Sequence, residues 1–274
     1  MSSLISAQIR ETCDAARQFG IDAAPIAVVL GSGLGAFVDV VEASAVVSYN
    51  DLPHFPRATS IGHAGRLVYG RVQGRPVLVL QGRCHLYEGH HWEQVTFPLH
   101  VLQAFGVKNL ILSCAAGGLS SKFRVGDLMV IRDHLNFNMH RAAVPRWLLH
   151  RLPCSPFDEK LNQELLSAAA DYSVSIREGV YIGVCGPNYE TRAEQRMFSM
   201  FGDAIGMSTI PEAIVATRLG MKTCGLATIT NLCTPDAPQV ADGQHVIMAA
   251  SEAEPNFRRL LLRFFERLSP SHSC

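Results

Sequence analysis

Tyr189 and Glu190 stand side by side on a polar turn, at the exit of the apolar run 180–185. An aromatic ring beside a carboxylate can hold a flat heterocycle: the ring covers its face and the carboxylate accepts from its N–H groups. Further on, Gly206-Met207-Ser208-Thr209 closes a second short strand, just before Pro211 and Glu212 open a helix. A helix N-terminus with Ser and Thr hydroxyls is a good anion site. Residues 180–216 thus offer a place for a base and a place for an anion within one stretch.

Other residues fit the same chemistry. Arg83, His85 and Tyr87 alternate in QGRCHLYEG, so an extended chain would point all three one way. Arg presents a bidentate fork to an oxyanion. Three such side chains at a strand end outweigh the plain reading of a solvated arginine. His85, Glu88, His90 and His91 lack a metal-ligand spacing, and Trp92 already starts a helix, so no metal is expected. Gly31-Ser32-Gly33-Leu34-Gly35-Ala36 follows a buried-strand run and matches the dinucleotide string G-x-G-x-x-A. Only eight residues separate Ala36 from the next strand run at Ala45. A parallel crossover needs about a dozen. What remains is a loop whose N–H groups, with the Ser32 hydroxyl, cradle a single phosphate, or simply a tight turn. Cys114-Ala115-Ala116-Gly117-Gly118 ends a strand in small residues, which either admit a ligand to the backbone or make a crowded turn. Asn231, at a strand end, can both donate and accept. His245 falls in the first turn of the last helix. Taken singly, these two read rather as a turn residue and an exposed helix residue.

The elements that must position these groups follow from periodicity. Short apolar runs at 26–30, 109–113, 127–132, 180–185 and 222–230 read as buried strands. Residues 66–72 and 75–80, with Gln73-Gly74 between, read as a hairpin. Helical patterns cover 5–19, 92–105, 158–172 and 242–268. Residues 137–157 are rich in Pro, His and Arg, have no acid, and read as a long loop. Strands alternating with helices, plus hairpins, predict one α/β domain over 1–274, with helices covering a mixed sheet. Most polar candidates fall at strand exits, where open α/β sheets bind ligands. The formal net charge is zero, so neither nucleic acid nor an anionic membrane is an expected partner. The eight Cys contain no C-x-x-C and no regular spacing, which argues against zinc or a disulfide framework. No signal-peptide pattern opens the chain and no apolar run reaches about 20 residues. A cytoplasmic, reduced protein is expected.

In order, GSGLG, GHAGRLVYG, QGRCHLYEGH, AAGG, GPNYET, GMSTIPE and TN resemble the trimeric purine nucleoside phosphorylases. The likeness runs from about Val28 to Ala250. It implies an αβα sandwich with a mixed, partly barrel-like sheet and a homotrimer. It implies reversible phosphorolysis of a purine (deoxy)ribonucleoside, without a cofactor and with inorganic phosphate as co-substrate, in purine salvage. Phosphate would be held by Ser32, Arg83, His85, the Ala115 N–H and Ser208, with His63 closing over it. Ribose would meet Tyr87, Met207 and His245. The purine would lie against Tyr189, with Glu190 and Asn231 on its edge and Ala116 nearby. His85, Glu190, Asn231 and His245 would be the catalytic set.

The chain also departs from the family pattern. Cys114 stands where Asn is usual, Ser113 where Thr is usual, and Tyr189 where Phe is usual. Residues 137–157 lack the N-P-L-x-G motif and the aromatic that caps a neighbouring subunit's ribose; Phe157 or Trp147 would have to replace it. The related methylthioadenosine phosphorylases carry Asp in place of Asn231, so Asn231 favours inosine and guanosine over 6-aminopurines. A methylthionucleoside phosphorylase, which Asn231 and His245 oppose, a dinucleotide-binding module and a nucleoside-binding protein without turnover are the competing readings. Of the last two, the short crossover opposes the first, and the altered 137–157 segment alone supports the second.

Overall fold

The computed structural model describes residues 3–138, 155–172, 174–236 and 242–268. Its strands are β1 (Ile26–Val29), β2 (Glu42–Ser48), β3 (Arg66–Val72), β4 (Arg75–Gln81), β5 (Asn109–Gly118), β6 (Leu128–Asn136), β7 (Ile176–Gly183), β8 (Ala204–Gly206) and β9 (Lys222–Leu232). Its helices are α1 (Ser3–Gln18), α2 (Trp92–Ala104), α3 (Glu159–Asp171), α4 (Arg192–Ser199), α5 (Ile210–Arg218) and α6 (Gly243–Arg267). The sheet order is β2-β3-β4-β1-β5-β8-β7-β6-β9, and β9 also pairs with β5. Strands β5, β8, β7, β6 and β9 therefore close into a five-stranded barrel, from which β1, β4, β3 and β2 extend as an open wing. The partly barrel-like mixed sheet implied by the sequence is present.

Strand alternation explains the layers. Ala27 and Val29 face one core with α1, α2 and α5. Ile26 and Val28 face the other with α3 and α6. A strand buried on both faces must be apolar throughout, as IAVV is. The hairpin β3–β4 turns on Gln73 and Gly74, both at positive φ. The strand after the glycine loop, β2, pairs only with β3 at the sheet edge, while β1 lies parallel between β4 and β5. This is not a βαβ dinucleotide unit: a six-residue 3₁₀ helix, Gly35–Val40, occupies the connection.

Several strands run past the limits expected from apolar runs. β5 continues through Gly118 and β6 through Asn136, because ladder pairing with β8, β9 and β7 carries them beyond their hydrophobic residues. Of the expected 137–157 loop, residues 139–154, Trp147 among them, lie outside the described residues. Phe157 is buried, bridges to Thr223 and meets His134 edge-on at 6.0 Å. It fills the core and is not free to cap a neighbour's site.

Close backbone approach makes Gly31 necessary. A methyl there would lie 2.7 Å from Cys114 Cα and 2.9 Å from the Ser113 carbonyl oxygen. The Gly31 N–H donates to Ser113 Oγ at 3.1 Å, and that hydroxyl donates to the Val29 carbonyl at 3.0 Å. Gly31→Ala is expected to destabilise the fold by about 1–3 kcal/mol through overpacking against backbone that cannot yield. Urea denaturation would show this as a lower midpoint at unchanged slope.

Candidate active site

The site gathers at strand exits. Ser32 follows β1; Arg83, His85 and Tyr87 follow β4; Ala115 and Ala116 belong to the last residues of β5. β8 begins beside Gly118 and runs antiparallel back along β5, so Met207 and Ser208 arrive next to Ala115. Tyr189 and Glu190 follow β7, and Asn231 lies on β9 opposite Gly117. A cavity of about 290 Å³ is lined by Ser32, Arg83, His85, Tyr87, Ala115 and Ala116. Tyr189, Glu190, Met207, Ser208 and Asn231 complete the expected part of its wall. His63 stands just behind this wall, bonded to Ser32. His245 does not share it: exposed on the first turn of α6, it pairs with its own N-cap, Nδ1 to Asp242 Oδ1 at 3.0 Å. It borders an adjoining cavity of about 470 Å³.

Arg83 is the most constrained of these side chains. It is not on an extended strand: β4 ends at Gln81, and a 3₁₀ turn runs over Leu86–Glu88. The guanidinium is buried, with Nε donating to Glu212 Oε1 at 2.9 Å and Nη1 donating to the Ser113 carbonyl. Its Nη2 is buried with no partner among the described residues. A buried charged donor left unpaired is costly, and an anion in the cavity would satisfy it. Glu212 accepts the Thr209 N–H through its other oxygen at 2.9 Å. Thr209, the N-cap of α5, sits at φ 72°, a strained conformation for a β-branched residue. The same carboxylate thus holds both Arg83 and the turn that carries Ser208.

A second carboxylate orients the histidines. Glu88 Oε1 accepts from the His85 N–H at 2.7 Å and from His85 Nδ1 at 2.8 Å. Its Oε2 accepts the Thr59 N–H at 2.8 Å and the Thr59 hydroxyl. Burial pushes the Glu88 carboxyl up, but the hydrogen bonds from His85 and Thr59 outweigh it and hold the group well below the usual carboxylate range. An ionised Glu88 fixes the proton on His85 Nδ1, leaving Nε2 for a ligand. Tyr87 stacks on His85 at 4.6 Å, and its hydroxyl meets Ser60 Oγ at 3.0 Å. His63 is lowered to about 3 by burial, helped by the neighbouring His85 and Arg83 charges. It is therefore neutral at working pH. Its Nδ1 accepts the Arg83 N–H at 3.3 Å, so Nε2 carries the hydrogen and donates to Ser32 Oγ at 3.2 Å. That leaves the Ser32 hydroxyl hydrogen for an acceptor in the cavity.

On the opposite chemistry, Glu190 is half-buried, and burial with the nearby Glu194 charge raises its pKa. Asn231 Oδ1 accepts the Thr230 hydroxyl at 3.3 Å. That leaves its amide hydrogens available. Cys114 also lines the cavity, with its thiol pushed up by burial, so it sits there as a neutral group. Among the described residues no three His, Cys, Asp or Glu gather as a metal site.

Sequence reasoning missed the supporting residues. Glu88 and Glu212 had a usable signal, each standing three residues after a helix-capping position, His85 and Thr209. Ser60, Ile61, Val246 and Ile247 also line the cavity. They have no local signature, since they arrive from a long connection and from the middle of a helix turn.

Comparison with known proteins agrees with this geometry. The family model described as Phosphorylase superfamily matches residues 25–266. Purine nucleoside phosphorylase 1 of Geobacillus stearothermophilus is 42% identical over 243 residues, covering 86% of this chain and 88% of the relative. The mouse purine nucleoside phosphorylase is 38% identical over 256 residues, 89% of each chain. Among solved structures, Schistosoma mansoni purine nucleoside phosphorylase in complex with adenosine superposes with a TM-score of 0.88 at 28% identity, over 96% of this chain and 98% of that one. The chain belongs to the phosphorylase superfamily and, within it, to the purine nucleoside phosphorylases.

Proposed function

We propose that this enzyme phosphorolyses 6-oxopurine nucleosides, inosine and guanosine, to the free base and (deoxy)ribose 1-phosphate, in purine salvage. One observation carries the reading. A single cavity is lined by Arg83, whose buried Nη2 has no partner among the described residues, and by Glu190 with Asn231. An anion and a base edge are thus served together. Relatives are named purine nucleoside phosphorylases, the Schistosoma mansoni structure holds adenosine, and a schistosoma purine nucleoside phosphorylase structure holds hypoxanthine. The family resemblance adds homotrimeric assembly and a cytoplasmic setting to this proposal.

The residues support a simple course. Arg83 Nη2, the Ser32 and Ser208 hydroxyls and His85 Nε2 bind phosphate beneath the sugar, next to the Ala115 backbone. Tyr87 and Met207 border the ribose, while Tyr189 and Ala116 flank the purine. Breaking the C1′–N9 bond sends its electron pair into the purine and leaves oxocarbenium character on the sugar. A phosphate oxygen then forms the new bond to C1′. Pre-positioning the anion removes the entropy of bringing it there. Asn231 donates to N7 as negative charge develops, a fixed dipole that needs no reorganisation. Ionised Glu190 accepts from N1–H of a 6-oxopurine. A 6-aminopurine has no proton on N1 and would set a lone pair against a half-buried carboxylate.

Hypoxanthine release from inosine is expected to require inorganic phosphate, with adenosine much slower. Phosphate-independent release would mean hydrolysis and would overturn the role of Arg83. Glu190→Ala is expected to lower kcat/KM on inosine at least tenfold, about 1.4 kcal/mol. Because burial raises the Glu190 pKa, the carboxylate form is lost on acidification at a higher pH than for an ordinary glutamate. The acid limb of kcat/KM for inosine should therefore sit above the usual carboxylate range and vanish in Glu190→Ala; an unchanged limb contradicts the assignment. Arg83→Lys keeps the charge but cannot reach Glu212, the Ser113 carbonyl and the cavity at once. A phosphate titration should show KM for phosphate at least tenfold higher, with KM for inosine within threefold.

A further inference from the structure

The base end of the cavity does not stop at Glu190. Tyr189, Glu190, Thr230, Asn231 and Val246 line both the 290 Å³ cavity and the adjoining 470 Å³ cavity. They form a partition with space on either side. The adjoining space is walled by Val125, Leu232, Met248 and Ala249, with Gln195 from α4. Arg192, Thr234, His245 and Glu252 line it as well, so the wall is mixed, with apolar surface only slightly in excess. Gln195 lines this space, and its buried side-chain oxygen has no hydrogen-bond partner among the described residues. A buried acceptor left unsatisfied calls for a donor.

We propose that this adjoining cavity is a subsite for a substituent on the purine's exocyclic 2-nitrogen, with Gln195 accepting a hydrogen bond from it. The inference rests on the base-pocket reading of Glu190 given above. A substituent at the 6-position would remove the 6-oxo form and its N1–H, which Glu190 requires. The 2-nitrogen sits next to N1, against the same carboxylate, and keeps one N–H after substitution. The matching substituent has an apolar body and a terminal donor. The ligand class is therefore N2-substituted guanine nucleosides, in addition to inosine and guanosine.

The probes are guanosine, N2-benzylguanosine and N2-(4-hydroxybenzyl)guanosine, assayed by phosphorolysis with the full-length enzyme. Both substituted nucleosides are expected to retain at least one-tenth of the kcat/KM of guanosine; a lower value overturns the subsite. Gln195→Leu removes the acceptor at similar size. It should reduce kcat/KM for the hydroxybenzyl probe at least fivefold relative to guanosine, and leave the benzyl probe's ratio to guanosine within twofold. Equal effects on both probes, or none, overturn the role of Gln195. Ala249→Trp, filling the cavity from α6, should depress both substituted nucleosides at least tenfold relative to guanosine; unchanged ratios place the substituent elsewhere and overturn the proposal. Absence of turnover on guanosine itself would instead refute the base-pocket reading, and this proposal with it.

Discussion

The carboxylate of Glu212 is the constraint on which the site depends. Its two oxygens are committed to different parts of the chain, one to Arg83 after β4 and one to the Thr209 N–H at the head of α5. Both partners of the ion pair are about 95% buried, with side-chain exposures of 4% and 5%. Taking such a pair out of water is expensive, and the attraction between the charges offsets that only when the remaining lone pairs and protons are also met. Here they are met on all sides but one. Arg83, which lines the cavity, gives Nε to Glu212 and Nη1 to Ser113, and its last nitrogen has no partner among the described residues. On the proposed function, a substrate anion would complete what the protein leaves open.

The same pair explains why Thr209 tolerates a positive φ. The Thr209 N–H must point at Glu212, and Glu212 is fixed by Arg83. The strain is held in place by a buried charge contact that would cost far more to break, about 3–5 kcal/mol. Ser208 is positioned as a consequence. Glu88 acts in parallel on the other side, tying His85 to Thr59 and so fixing which imidazole nitrogen faces the ligand. Two buried carboxylates, neither of which touches the cavity's contents, thus orient the groups that do.

Backbone proximity is the second theme. Gly31, Gly117 and Gly206 each lie where a methyl group would meet another residue at 2.3–2.9 Å. For Gly206 the obstacle is the buried Tyr181 hydroxyl, and for Gly117 it is Cys233 Sγ. These glycines let β1, β5 and β8 come close enough for side chains from different strands to share a cavity. The barrel closure supplies the rest. β8 reverses along β5, and β9 pairs with β5 on its other edge, so Ala115, Ser208 and Asn231 converge although they are far apart in the chain.

Period-two and period-3.6 patterns were enough to determine the alternating strands and helices, the β3–β4 hairpin and the failure of the glycine loop to open a dinucleotide unit, because those features depend on local spacing and chain reach. The residue types at strand exits likewise suggested the proposed chemistry: an arginine and hydroxyls for an anion, a carboxylate and an amide for a base edge. What spacing could not reach was anything fixed by contact between distant segments. Arg83, His85 and Tyr87 share the cavity without sharing a strand, because a buried glutamate and a ring stack aim them. Phe157 was available as a surface cap on paper and is core in the fold, since β9 lies against it. His245 belongs by pattern with the ribose and by structure to the neighbouring cavity, because its own N-cap holds it there. The sequence determined which groups exist and at which strand ends. Only the tertiary structure decided which of them point inward, since burial, ion pairing and barrel closure act between residues that local order leaves unrelated.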